Sequence, residues 1–307
     1  MNKRPNERAY AVILAGGVGK RLNPLSKPSR PKPFLSVTKD NKTIFRKTID
    51  RIKKIIPEQN IAVVANRRSS RLVKKDFPNI SKDNLLLEKI PRNTAPAIAL
   101  AALALKNRCP DTIMIVLPAD HYIGNERVYI NTVEKGIDFV DRNPSALVTI
   151  GLRPIFPATR YGYIRVEGRS PYLKPCRAGG TRGKIYKVAG FVEKPDIKTA
   201  EKFLKDGAYL WNTGTFIFKA TTFLDAIRTF ASDIYGGLKD LRKIDERYET
   251  LPDISVDYAI MEKANNIYCI KGSYLWEDIG SFDSLKKVLN IEGKLFVEKN
   301  GKVVKIL

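Results

Sequence analysis

Three glycines, the cations beside them and two acids at the ends of apolar runs are the residues whose types and spacing could do chemistry here. Gly16-Gly17-Val18-Gly19-Lys20-Arg21 breaks abruptly out of the apolar run 11–15, and Lys32 follows between Pro31 and Pro33. Glycine lets a chain turn sharply and brings bare backbone N–H groups up to a ligand. An N–H-lined hollow backed by cations suits an anion, above all a polyphosphate. The spacing is neither GxxxxGK[ST] nor GxGxxG, so two common phosphate patterns are excluded. The plain alternative is a strand followed by a glycine-rich turn with solvated cations.

Asp120, in Leu117-Pro118-Ala119-Asp120-His121, and Asp278, in Trp276-Glu277-Asp278-Ile279-Gly280-Ser281, each have an ordinary role at a turn. A triphosphate changes their meaning. It travels with magnesium, a hard cation that takes one or two carboxylates and completes its shell with phosphate oxygens and water. Asp120 and Asp278 are therefore the expected metal pair, with Glu277 pointing elsewhere. His121 is the only histidine. It is read as a polar neighbour of the metal ligand, because an ionised phosphate oxygen needs no general base to attack.

Three further fragments are weak singly. Glu193-Lys194-Pro195 offers a carboxylate and an ammonium at a strand end, which alone would be a surface ion pair. Trp211-Asn212-Thr213-Gly214 offers an amide and a glycine entering a strand, which suits close approach of a polar ligand. Tyr161-Gly162-Tyr163 supplies aromatic walls around a small residue.

Positioning these groups falls to an alternation of strands and helices. Strands are expected at 10–15, 61–65, 85–87, 113–117 and 146–151, with helices at 43–56, 67–76, 94–107 and 126–141. That alternation predicts a mostly parallel, doubly wound α/β sheet. Ligands bind such sheets beyond the carboxyl ends of the strands, where the glycine turn and Asp120 both fall. From 153 onward strands are expected at 161–167, 184–192, 215–219 and 267–271, helices at 221–231 and 255–264, and a long mobile loop at 168–183. Asn300-Gly301 is a two-residue hairpin signal. The organisation expected is one unit over 1–290 and a short β appendage over 291–307.

Composition bounds the rest. The chain has 307 residues with 55 Lys plus Arg against 32 Asp plus Glu, a formal charge of +23. The charge is spread along the chain, with no helix-turn-helix, zinc-finger or RNP-like string, so nucleic-acid binding is the lesser reading. Cys109, Cys176 and Cys269 have no metal or disulfide spacing and fit a reducing cytoplasm. No apolar run is long enough to span a bilayer.

Taken as a string, GGxGxRLxPLS followed by PKPF resembles the signature of the sugar-nucleotide pyrophosphorylases. RNTAPAIALAA at 92–102, EKP at 193–195, WNTG at 211–214, SVDYAIMEKA at 255–264 and WEDIGSFDSL at 276–285 are similar to the mannose-1-phosphate guanylyltransferase branch. The resemblance implies a Rossmann-like nucleotide-diphospho-sugar transferase fold, Mg2+, and the reaction of GTP with α-D-mannose 1-phosphate to give GDP-mannose and diphosphate. It implies Leu14, Ala15, Gly16, Gly17, Gly19, Arg21, Glu88, Asn93, Thr94 and Ala95 at the nucleotide, and Lys32 at the reacting phosphates. Gly162, Glu193, Lys194 and Asn212 would hold the mannose phosphate, and Asp120 and Asp278 the metal. Arg21, Lys32, Asp120 and Asp278 would be the catalytic set.

Guanine presents two adjacent donors, N1–H and the 2-amino group, which match the two oxygens of a carboxylate. Glu88 is the carboxylate before RNTAPA. The family usually has EP there, and this chain has Glu88-Lys89. Many relatives continue into a β-helix or an isomerase domain, so isomerase activity is expected to be absent; a homodimer is one assembly left open. The rivals are a glucose-1-phosphate thymidylyl- or uridylyltransferase and a noncatalytic sugar-nucleotide sensor.

Overall fold

The apolar runs assemble into one nine-stranded sheet with helices on both faces. The computed structural model describes residues 7–17, 19–168, 184–238 and 247–307. Its strands are β1 (Ala9–Leu14), β2 (Ile61–Asn66), β3 (Leu85–Glu88), β4 (Ile113–Pro118), β5 (Tyr122–Ile123), β6 (Leu147–Leu152), β7 (Tyr163–Val166), β8 (Ile185–Val192), β9 (Tyr209–Lys219), β10 (Ile267–Lys271), β11 (Trp276–Glu277), β12 (Phe296–Lys299) and β13 (Lys302–Ile306). The helices are α1 (Ile44–Ile52), α2 (Ser70–Asp76), α3 (Thr94–Arg108), α4 (Glu126–Arg142), α5 (Ile197–Asp206), α6 (Ala220–Phe230), α7 (Ser232–Leu238) and α8 (Phe282–Ile291).

The large sheet runs β3-β2-β1-β4-β9-β6-β10-β8-β7, and only β8 and β9 run against the others. The mostly parallel, mixed sheet expected from the sequence is therefore present. Side chains alternate faces along each strand. Ala11 and Ile13 join Val63 and Ile115 in a core with Phe45 and Ile49 of α1 and Val133 and Ile137 of α4. Val12 joins Val64, Met114 and Val116 in another, with Ile98 and Ala101 of α3 and Phe223 and Ile227 of α6. Helix α3 is apolar nearly all round because it is covered nearly all round, by the sheet and by α6.

Several expected boundaries shift for physical reasons. The helix expected at 43–56 stops at Ile52, ahead of Pro57, and that at 67–76 begins only at Ser70. The helix at 255–264 reduces to a single π-helical turn, Asp257–Met261. The strand at 215–219 begins at Tyr209, so WNTG lies inside β9 rather than at its entrance. Gly214 takes φ +67 there, opposite a register shift between Thr149 and Gly151, which marks a bulge. Helix α5 went unread despite clear punctuation: Asp196 accepts from Thr199 N at 2.8 Å, and Gly207 closes it with φ 73. The loop expected at 168–183 lies almost wholly outside the described residues.

Two small ladders matter most for the site. Strands β5 and β11 pair antiparallel, Tyr122 opposite Glu277 and Ile123 opposite Trp276. This ladder brings the segment after β4 alongside the WEDIG segment, 155 residues later in sequence for the pair His121 and Trp276. The hairpin β12–β13 turns at Asn300-Gly301 as expected, both with positive φ. Its Val303 is buried in a third core with Leu22, Leu25, Leu35, Ile279 and Leu285, so the C-terminal segment packs behind the glycine turn. Among the described residues, Cys109 and Cys269 are free thiols, and no helix is long and apolar enough to cross a membrane.

Candidate active site

Beyond the carboxyl ends of β1, β3 and β4 opens a cavity of about 390 Å³, a size that takes a small-molecule ligand. Leu14, Gly16 and Gly17 form one side. Asn66 Nδ2 donates to Gly16 O at 3.1 Å and pins the turn. At Gly16 a Cβ would sit 2.8 Å from Glu88 Oε2, whereas at Gly17 it would meet nothing within 4 Å, so Gly17 presents bare backbone to the cavity.

Glu88 ends β3 almost fully buried, and Tyr248 Oη donates to its Oε1 at 2.7 Å. Burial raises its pKa while the Tyr248 hydrogen bond opposes the rise. Asn93 holds φ 64 at the start of α3, its Oδ1 accepting from Thr94 N at 2.9 Å. Thr94 Oγ1 in turn accepts from Val256 N at 2.8 Å, locking the α3 N-terminus to the segment before the π-helical turn.

The two expected metal ligands face the same cavity. Lys32, nearly buried, links them: its ammonium lies 2.8 Å from Asp120 Oδ2 and also donates to the backbone carbonyl of Asp278. Burial works against ionisation of Asp120, but the Lys32 ammonium beside it holds its carboxyl below the usual range. Asp278 Oδ1 accepts from Gly280 N at 2.9 Å. Between them Ile279, a β-branched residue, takes φ 47, a conformation that persists only where the surroundings impose it.

Two carboxylates sharing one cavity suit a hard dication, and no cluster of three candidate ligands exists among the described residues. The rest of a coordination shell would have to come from phosphate oxygens and water, which is the habit of Mg2+. The donor set therefore fits that ion. His121 is neutral, its pKa lowered by burial, and its Nδ1 accepts from Trp276 Nε1 at 3.1 Å. Glu277 turns away from the cavity, as expected, to accept from Tyr161 Oη at 2.8 Å.

The opposite wall is built from side chains. A Cβ at Gly162 would collide with Glu193 Oε2, so the glycine makes room for that carboxylate. Lys194, with φ 50, donates to Glu193 Oε1. Asn212 Oδ1 accepts from Thr149 Oγ1 at 2.9 Å and from Gly214 N at 3.1 Å, while its Nδ2 donates to Asp257 Oδ1 at 3.0 Å. Burial, reinforced by the Glu193 charge, pushes the Asp257 carboxyl up to about 7.

The structure thus brings Leu14, Gly16, Gly17, Glu88, Asn93, Thr94, Asp120, Gly162, Glu193, Asn212 and Asp278 together on one cavity. It does not bring Ala15, Gly19, Arg21, Lys32, Lys194 or Ala95 to the lining. Ala15 and Ala95 are fully buried, and Arg21 is exposed on the 3-10 turn Lys20–Leu22. Gly19, at φ 75, is pressed against Lys32, where an added Cβ would lie 2.5 Å from Lys32 Cβ. Three lining or supporting residues went unread. Asp257 is an acid interrupting an apolar stretch, Arg160 a cation beside Tyr161-Gly162, and Tyr248 gave no signal of its own.

A family model described as nucleotidyl transferase matches residues 10–293. The chain belongs to the nucleotidyl transferase family. It is 36% identical over 296 residues to the mannose-1-phosphate guanylyltransferase ManC of Salmonella typhimurium, covering 92% of this chain and 59% of the relative. It is likewise 36% identical over 296 residues to the mannose-1-phosphate guanylyltransferase of Escherichia coli, covering 92% and 60%. The chain therefore spans about three-fifths of the length of these curated relatives. Among solved structures, a "mannose-1-phosphate geranyltransferase" of Thermus thermophilus superposes with TM-score 0.79 at 33% identity, covering 92% of this chain and 79% of that one. The Rossmann-like nucleotide-diphospho-sugar transferase fold expected from the sequence is thus this family member's fold.

Proposed function

We propose that this nucleotidyl transferase moves GMP from GTP to α-D-mannose 1-phosphate, giving GDP-mannose and diphosphate. The observation that carries the reading is the shared cavity, where the Gly16-Gly17 turn, Glu88 and the acids Asp120 and Asp278 face Gly162, Glu193 and Asn212. An ionised oxygen of the sugar phosphate forms a bond to the α-phosphorus of GTP, and the bond from that phosphorus to the bridging oxygen of diphosphate breaks. No protein nucleophile and no base is required.

The Gly16 and Gly17 backbone holds the triphosphate, and Glu88 accepts from guanine N1–H and the 2-amino group. Asp120 and Asp278 hold Mg2+, which supplies charge neutralisation at the reacting phosphates. Lys32 bridges those two acids, and Arg21 and Lys194 meet phosphate from outside the cavity lining. Glu193 accepts from sugar hydroxyls, while Asn212 shapes the floor through its hydrogen bonds to Thr149, Gly214 and Asp257. Holding two polyanions in line is worth ~7–11 kcal/mol in favourable cases, so positioning supplies most of the rate. Residues 1–290 would form the catalytic unit and 291–307 its short β appendage, and the free thiols of Cys109 and Cys269 accord with work in the cytoplasm.

Diphosphate release from GTP with mannose 1-phosphate, with and without Mg2+, tests the reading. Release with that pair, lost on chelation, is the expected result. Turnover instead with dTTP or UTP and glucose 1-phosphate would overturn the specificity, and no turnover with any pair would overturn the activity.

A further inference from the structure

The cavity has an unusual charge balance for a site that must accept two polyanions. Glu88, Asp120, Glu193, Asp257 and Asp278 line it with five carboxylates, while Arg160 is the one guanidinium or ammonium among the described lining residues. The other nearby cations are already engaged: Lys32 by Asp120 and the Asp278 carbonyl, Lys194 by Glu193. A dication at Asp120 and Asp278 would compensate one end. The sugar-phosphate end has Arg160.

The guanidinium is aimed by its surroundings rather than consumed by them. Nη1 donates to Ser281 Oγ at 2.7 Å, and the group lies over the Tyr161 ring at 5.3 Å from its centroid. Its other contacts are long: Nη2 lies 3.5 Å from Glu277 Oε1 and 3.5 Å from Tyr161 Oη. Glu277 is better satisfied elsewhere, by Tyr161 Oη at 2.8 Å and Lys287 Nζ at 3.3 Å. Arginine beside a buried carboxylate frequently closes a short two-bond fork, and this one does not. Its position is also informative. Arg160 precedes Tyr161-Gly162 on the sugar side, and its anchor Ser281 follows Asp278 by three residues on the metal side. It lines the cavity that holds both Gly162 and Glu193 on one side and Asp120 and Asp278 on the other.

We propose that Arg160 is a catalytic residue that grips the phosphate of the incoming sugar 1-phosphate with the guanidinium N–H groups not spent on Ser281. This rests on the guanylyl-transfer reading above and assigns one substrate group within it. A planar fork recognises a phosphate through two parallel bonds, which an ammonium cannot reproduce.

The test is steady-state kinetics of the full chain with Mg2+, comparing wild type, Arg160→Lys and Arg160→Gln in both directions. For Arg160→Gln the KM for mannose 1-phosphate should rise about ten- to a hundredfold, as charged hydrogen bonds are lost. In reverse, the KM for GDP-mannose should rise too. The KM values for GTP and diphosphate should stay within about twofold, and Arg160→Lys should recover only part of the loss. An unchanged KM for mannose 1-phosphate in an active wild-type background overturns the role of Arg160 alone. A parallel rise in all four KM values, the signature of a merely structural residue, overturns it as well. A wild type inactive with GTP and mannose 1-phosphate overturns the functional reading and this inference with it.

Discussion

The two walls of the cavity are made of different material. The wall after β1 and at the head of α3 is largely backbone: bare N–H at Gly17, a turn pinned by Asn66, and Asn93 at φ 64. The facing wall is a packed set of ionisable side chains, with Glu193, Asn212 and Asp257 interlocked and one carboxyl pushed up to about 7. On the proposed function, a backbone wall would serve any nucleotide's phosphates and leave the choice of base to Glu88. A side-chain wall is costlier to bury, and on the proposed function it would read the shape and charge of one sugar phosphate. The acids Asp120 and Asp278 belong to neither wall. They are held together by the β5–β11 ladder and by Lys32.

The largest predicted effect tests that hinge between the walls. Asp278→Ala should lower turnover by about a thousandfold, since losing metal-held charge neutralisation costs several kcal/mol. A fall of less than about tenfold in diphosphate release would remove Asp278 from the metal site.

The walls themselves separate in two glycine variants. Gly162→Ala drives a Cβ into Glu193 and should raise the KM for mannose 1-phosphate about a hundredfold. Gly17→Ala meets only open space. It should leave the melting temperature unchanged and raise the KM for GTP about tenfold, because a methyl group keeps the phosphates off the backbone. If Gly17→Ala left the KM for GTP unchanged, the backbone wall would lose its function.

Glu88→Gln probes the group proposed to read the base. The amide donates where guanine also donates, so preference for GTP over UTP should fall by about ten- to a hundredfold. Retention of full preference would exclude Glu88 as the reader of the base.

The smallest effect concerns stability. Asp257 gives up its proton near pH 4 in the unfolded chain but only near 7 in the fold, under burial and the charges of Glu193 and Glu262, partly offset by Lys194. The folded state therefore binds more protons between pH 4 and 7, and stability from this group falls as pH rises through that window. Asp257→Asn removes the cost. It should raise the melting temperature by ~2–4 °C at pH 8 and leave it unchanged at pH 4. Equal shifts at both pH values would show that packing, not charge, sets the cost.

Much of the first wall was legible beforehand. Gly16, Gly17, Asp120 and Asp278 are short motifs whose residue types follow from local backbone needs and hard-cation chemistry, and all four line the cavity. The side-chain wall was read only as fragments. WNTG looked like the entrance to a strand because nothing in the string announces that β9 runs antiparallel between β4 and β6 with a bulge in its middle. Arg21, Lys32 and Lys194 read as phosphate ligands by type, yet none of the three lines the cavity. Arg160 and Asp257 carry only weak local signals, and Tyr248 carries none. Each acquires its partner across a long stretch of chain, as Tyr248 does with Glu88, 160 residues away.

By itself, then, the amino-acid order determined where the chain must turn tightly, where it must be buried and which acids end strands, since these depend on a few adjacent residues. The tertiary structure alone decided which charges meet. Burial and the pairing of distant segments set whether a cation faces a ligand or a neighbouring carboxylate, and no local string encodes that balance.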